Sequence, residues 1–232
     1  MCGRYTIAKP SRVVAVFAPR TIKADISRPR YNIAPMQQVP VVTGRGEERT
    51  LRDCQWGLVP GWARDPSVGN RMINARIETV AVKPAYRTAF LHGRCLIPAD
   101  GFYEWQKTRA GKKPIRIHAL DNEPFAFAGL YSAWSGDGST QVLLSCVILT
   151  READDFMAQV HNRMPVILPE ALWEAWTDPS GTAETILQRV VAEPFGRKLV
   201  MTRVSDLVNS PANDSEQCIA PAGDGSFLHS DG

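Results

Sequence analysis

The chain has no apolar run long enough to cross a membrane. The longest, Val142 to Leu149, is strand-sized and contains Ser145, whereas a span needs roughly 18 consecutive apolar residues. The first twenty residues carry Arg4, Lys9, Arg12 and Arg20 without a continuous apolar block, so they do not read as a secretory signal. A membrane protein is thereby excluded, and a cytoplasmic setting is expected. Cysteine is sparse and odd in number: Cys2, Cys54, Cys95, Cys146 and Cys218 are far apart and form no C-x-x-C pair, so neither a disulfide framework nor a zinc site is indicated. His92, His118, His161 and His229 are equally scattered, without H-x-x-x-H spacing. No metal or organic cofactor is expected. Extremes of composition are missing too, since 44% apolar and 22% charged residues, with 17 prolines beside 17 glycines, exclude disordered, collagenous and disulfide-dense classes.

What is present is a chain of 232 residues, enough to bury well over half of its unfolded surface in one large domain or two small ones. No internal repeat appears, and no linker is long enough to divide it. A single domain over residues 1–219 is expected, followed by a loose Gly-, Asp-, Ser- and Ala-rich tail over 220–232. Nothing demands more than a monomer.

Ten segments read as short strands: Arg4–Ile7, Val39–Thr43, Gln55–Val59, Arg94–Pro98, Phe102–Gln106, Ile115–Leu120, Phe125–Ser132, Val142–Leu149, Met164–Leu168 and Lys198–Val204. They are rich in β-branched and aromatic residues and bounded by Gly, Pro or Asp. Helices are fewer. Ser11 is placed to cap one running to Phe17; a second is expected between Ile77 and Leu91, broken near Pro84; others are expected at Glu152–Val160, Pro169–Trp176 and Thr182–Val191. Strands that outnumber helices without βαβ alternation predict an α+β fold on a mostly antiparallel, curled or barrel-like sheet with a few peripheral helices.

Charge is unevenly spread along the chain. Residues 1–120 hold 21 Lys and Arg against 8 Asp and Glu, whereas residues 121–232 hold 6 against 16. Either a basic surface awaits a polyanion such as nucleic acid, or the two halves neutralise one another across a shared fold. Lys107, Arg109, Lys112 and Lys113 around Gly111 read as a solvated hairpin tip.

Chemistry gathers at the start, Met1-Cys2-Gly3-Arg4-Tyr5. Methionine before a small residue is normally trimmed, which would leave cysteine first, with a primary amine and a thiol on adjacent carbons. The amine titrates near 7.7–8.0 and the thiol near 8.5, so both can act as nucleophiles. An aldehyde would form an imine with the amine, and the thiol would then close a five-membered thiazolidine. Attack by the thiolate on a carbonyl, with the amine as its base as in N-terminal-nucleophile hydrolases or with His161 as in a thiol peptidase, is also open here, as is an incidental small residue at position 2.

Further islands follow: Tyr31-Asn32-Ile33-Ala34-Pro35, Trp56-Gly57-Leu58-Val59-Pro60, Asn74-Ala75-Arg76-Ile77-Glu78-Thr79, Gly101-Phe102-Tyr103-Glu104-Trp105 and His161-Asn162-Arg163-Met164-Pro165. Each alone has a packing or surface explanation. In this order, after a Cys-Gly-Arg-Tyr start, they make a sequence that resembles the SOS-response-associated peptidase (SRAP) family of abasic-site processing proteins from Cys2 to about Ile219. The resemblance implies a compact barrel-like α+β fold and covalent attachment through Cys2 to abasic sites in single-stranded DNA. It implies Cys2, Asn74, Glu104 and His161 as catalytic residues, and DNA contacts from Gly3, Arg4, Asn32, Pro35, Trp62, Arg76, Trp105, Thr150 and Arg163. It also implies a nucleoid-associated location if the source is bacterial. The chain departs from the family pattern at Ala153-Asp154, where Ala-Asn is common, and at Ala63, where some members carry a second Trp.

Overall fold

A computed structural model describes residues 2–109, 111–136, 141–223 and 227–229, the last three as backbone only. In chain order the strands are β1 (Tyr5–Ile7), β2 (Thr21–Ile22), β3 (Arg30–Ile33), β4 (Gln38–Thr43), β5 (Thr50–Trp56), β6 (Asn74–Arg76), β7 (Arg94–Ala99) and β8 (Gly101–Thr108). They continue with β9 (Gly111–Ala119), β10 (Phe125–Trp134), β11 (Leu143–Glu152), β12 (Arg163–Pro165), β13 (Ile167–Leu168), β14 (Leu199–Arg203) and β15 (Phe227–His229). The helices are α1 (Pro10–Phe17), α2 (Pro84–His92), α3 (Asp155–Ala158), α4 (Trp173–Thr177) and α5 (Ala183–Ala192).

One sheet runs β15-β14-β9-β8-β1-β3, and a larger one contains β11-β10-β7-β4-β5. Neighbours in that larger run are antiparallel, but β5 also pairs in parallel with β11 through Ser145↔Gln55 and Cys146↔Trp56. That seam closes five strands into a ring and leaves none of the five an open edge. The fold is the α+β, mostly antiparallel barrel that the strand count suggested. Because both faces of the barrel wall are covered, Phe125–Leu130 and Ser145–Thr150 are continuously buried, which is why the sequence shows unbroken apolar runs there instead of alternation.

Tyr5 joins the two sheets. Its ring meets Trp56 edge-on at 5.3 Å and Phe127 at 5.9 Å, so the strand following Cys2 is clamped against the barrel core.

Several expected elements shift for local reasons. The strand expected at Gln55–Val59 instead ends at Trp56, because Gly57 takes φ +146°, and a Cβ there would stand 2.6 Å from the Gly69 carbonyl oxygen. Ser11 is not the cap of α1. Pro10 begins that helix, and the buried Asp100 carboxylate accepts from the backbone N–H groups of Ala8 at 2.5 Å and Lys9 at 2.9 Å. The helix expected from Ile77 forms only from Pro84 onward, with proline at its first turn, where a missing N–H costs nothing. Glu152 belongs to β11, and α3 is shortened to one turn capped by Asp154, whose Oδ1 accepts from Met157 N at 2.8 Å. Pro169–Trp176 divides into a 3-10 turn, Glu170–Leu172, and α4. Within 220–232, Pro221 bridges Val204 and β15 pairs with β14.

Candidate active site

Strand pairing sets the positions of the chemical groups before any side chain is considered. Tyr5 lies opposite Phe102, and Tyr103 N donates to Arg4 O at 3.0 Å; continued by one pair, this register sets Gly3 against Glu104. On the barrel side, β6 adds to β11 with Ile148↔Asn74 and Thr150↔Arg76, and β12 adds to the other edge of β11 with Thr150↔Pro165.

Asn74 and Cys2 meet directly. Asn74 Nδ2 donates to the Cys2 carbonyl oxygen at 2.8 Å, while Asn74 Oδ1 is buried without a hydrogen-bond partner. Cys2 is fully buried, its thiol facing Arg4 O at 3.9 Å. Burial pushes the thiol pKa well above its ordinary value, and the neighbouring Glu104 carboxylate pushes it further. Glu104 is itself buried, at 3% exposure.

His161 follows α3. Its backbone N–H donates to Met157 O at 2.9 Å, and its ring Nδ1 lies 2.9 Å from Arg163 N and 3.2 Å from Arg163 O. The Arg163 guanidinium is paired in two-pronged fashion with Glu78, at 2.7 and 3.0 Å, and also donates to Thr150 O at 2.7 Å. Thr150 is fully buried, with its hydroxyl toward Ala75 O at 3.4 Å. These bonds tie Thr150 and Arg163 to the strands around them.

Arg4 and Asn32 are also held from within. Arg4 donates to Asn32 Oδ1 at 2.9 Å and to Val208 O at 2.8 Å, and lies 5.9 Å from the Trp105 ring centroid. Asn32, 1% exposed, donates to the carbonyls of Ser210 at 2.9 Å and Asn213 at 2.7 Å. Trp105 Nε1 donates to Asn209 Oδ1 at 2.7 Å. Residues 208–213 therefore strap the start of β1 in place, a role no sequence motif announced.

Arg76 is exposed on β6, and Gly3 and Pro35 are half-buried. Trp62 is 64% exposed and lines two surface cavities of about 440 and 510 Å³, the second also lined by Arg64 and Arg71. Asp100 was missed by sequence reading; besides the Ala8 and Lys9 amides ahead of α1 it accepts from Thr6 Oγ1 at 2.5 Å and faces the buried Arg116 at 3.5 Å. Among the described residues no group of His, Cys, Asp and Glu is arranged to hold a metal ion, and no helix is long and apolar enough to cross a membrane.

With this geometry in view, residues 1–211 match the model of the SOS response associated peptidase (SRAP) family. The chain belongs to that family. It is 38% identical over 228 residues to the abasic site processing protein YoaM of Bacillus subtilis, covering 94% of this chain and 97% of that one. Against the abasic site processing protein HMCES of Gallus gallus it is 30% identical over 235 residues, covering 88% of this chain and 69% of the other. Its fold is that of a crystal structure from Bacteroides thetaiotaomicron, at TM-score 0.83 and 21% identity over 95% of this chain and all of that one.

The uneven charge is partly spent inside the SRAP fold. Among the described residues, five ion pairs join a cation of residues 1–120 to an acid of the second half: Arg12–Glu123, Arg28–Asp214, Arg45–Asp178, Arg49–Glu174 and Lys113–Asp206. Exposed Arg64, Arg71, Arg76, Lys83 and Arg87 lie outside those pairs. Cross-half pairing thus takes up part of the asymmetry and leaves these cations exposed. The expected cationic hairpin joins β8 to β9, with Lys107 opposite Lys112.

Proposed function

We propose that this SRAP protein processes abasic sites in single-stranded DNA by forming a thiazolidine at Cys2, after removal of Met1. The observation that carries the reading is the Asn74 side chain. Its amide donates to the Cys2 carbonyl while its buried Oδ1 has no hydrogen-bond partner, so the site offers an acceptor beside the residue whose α-amine would be released. Asn74 would aim the lone pair of that amine by accepting one of its N–H groups.

The chemistry then balances. The Cys2 amine adds to the ring-opened C1′ aldehyde; the carbinolamine loses its hydroxyl as water, with one proton delivered to it, and gives the imine. The thiol adds to the imine carbon, and its proton passes to nitrogen. Glu104, buried beside the thiol, and His161 are proposed to move these protons. A thiol held in its neutral form suits this order, because amine attack comes first and sulfur enters only once the electrophile is tethered.

Arg76 and the cations around Trp62 are proposed to follow the phosphates, with Trp62 as a stacking face. Single strands are preferred because the abasic sugar must be splayed into a buried site without opening a duplex. The test is incubation of the processed protein with single-stranded DNA carrying one abasic site, read as a heat-stable band on a denaturing gel. Wild type should give the band and Cys2→Ala should not; a band of equal yield from Cys2→Ala would overturn the proposal.

A further inference from the structure

The motif that contains Asn74 also contains Glu78, to which the reaction above gives no task. Glu78 holds Arg163 by two bonds, and the same guanidinium reaches the Thr150 carbonyl, which also accepts from Ile77 N at 2.9 Å. One carbonyl of β11 therefore ties β6, the strand of Asn74, to the segment His161–Arg163. At the far end of that segment the Arg163 backbone N–H lies 2.9 Å from His161 Nδ1. A backbone amide can only donate, so this contact requires Nδ1 to be an acceptor, and in the neutral ring the proton must then sit on Nε2.

We propose that Glu78 is a positioning residue: its two-pronged pair with Arg163 holds the Arg163 amide on His161 Nδ1 and thereby fixes the imidazole as its Nε2–H tautomer. The device selects between two neutral forms of the ring. It matters because Arg163 O also stands 3.2 Å from Nδ1 and would accept from the opposite tautomer if the segment shifted. With the guanidinium anchored, the segment does not shift, and His161 begins each cycle with a proton to give from Nε2. This deepens the thiazolidine reading and rests on it for its consequence in rate, but the tautomer itself does not.

The test has two arms. In the first, imidazole 15N chemical shifts are recorded without DNA at a pH where the ring is neutral. Wild type should show a protonated Nε2 and an unprotonated Nδ1 for His161, and Glu78→Ala should show averaged shifts of mixed tautomers. Glu78→Gln, which retains an oxygen to accept from Arg163, should restore most of the wild-type pattern. In the second arm, adduct formation with abasic single-stranded DNA should fall about tenfold or more in Glu78→Ala, within the range spanned by general acid–base contributions, with Glu78→Gln closer to wild type. An unchanged Nε2–H pattern in folded Glu78→Ala would overturn the proposal, as would an Nδ1–H ring in wild type. If wild type forms no adduct, the functional reading falls while the nitrogen shifts still decide the role of Glu78.

Discussion

The surroundings of Cys2 disfavour its thiolate. Removal from water and the charge of Glu104 act in the same direction, raising the pKa. The sign follows directly: abolishing the Glu104 charge should lower the Cys2 pKa and increase the thiolate fraction at any given pH. Alkylation of Cys2 by a small haloacetamide should thus be faster in Glu104→Gln than in wild type at pH 8, while adduct formation with abasic DNA becomes slower. Faster alkylation with an unchanged adduct rate would remove Glu104 from proton transfer. Asn74→Ala deletes both the bond to Cys2 O and the buried acceptor; adduct formation should fall about tenfold or more, since misaligning a reacting group forfeits much of the gain from proximity. Single-turnover time courses at saturating DNA would measure it. At this scale the sequence was silent on what these side chains touch. Simple strand alternation would turn Glu104 away from its neighbours and outward, yet Gly101 to Glu104 are all buried beneath neighbouring elements. The partners of Thr150 and Arg163, Ala75 O and Glu78, lie far along the chain and leave no local signal.

Between elements, the decisive contact is the Asp100 carboxylate at the turn from β7 to β8. It binds Thr6, the amides ahead of α1 and Arg116 together, so it fixes the direction in which the chain leaves β1 and, with the strap at residues 208–213, the placement of Cys2. Asp100→Ala leaves the buried Arg116 without its partner, and loss of one member of such a pair costs about 3–5 kcal/mol. Chemical denaturation should register this as a lower midpoint, and a shift equivalent to less than about 1 kcal/mol would show that the amides and Arg116 find other partners. The helix begins at Pro10, ahead of Ser11, and the carboxylate that holds the amides leading into it comes from a residue about ninety positions away, beyond the reach of local pattern. Strand existence was legible from β-branched and aromatic runs, whereas the end of β5 depended on the approach of Gly57 to Gly69, which no window of neighbouring residues contains.

The whole molecule closes a barrel through the parallel β5–β11 seam, and that closure brings Asn74 to the edge from which it reaches Cys2. Antiparallel, curled character was legible in the sequence; the seam was not, because pairing between residues so far apart leaves no periodicity. Cross-half ion pairs account for part of the charge asymmetry, and the cations near Trp62 and on β6 stay exposed, where the proposed strand would meet them. Binding to intact single-stranded DNA should therefore weaken with salt, log K falling by about 0.7 per neutralised phosphate, and Arg76→Ala should reduce that slope by about one such contact. Affinity independent of salt would contradict the proposed strand path. The central claim, that amine and thiol of one residue act together, is tested most directly by intact-mass spectrometry of two preparations exposed to the same abasic DNA, one beginning at Cys2 and one retaining Met1. The chain beginning at Cys2 should gain the mass of the DNA less one water, and the chain retaining Met1, whose Cys2 nitrogen is an amide, should gain nothing. Equal adduct from both would contradict the account and assign the chemistry to the thiol alone.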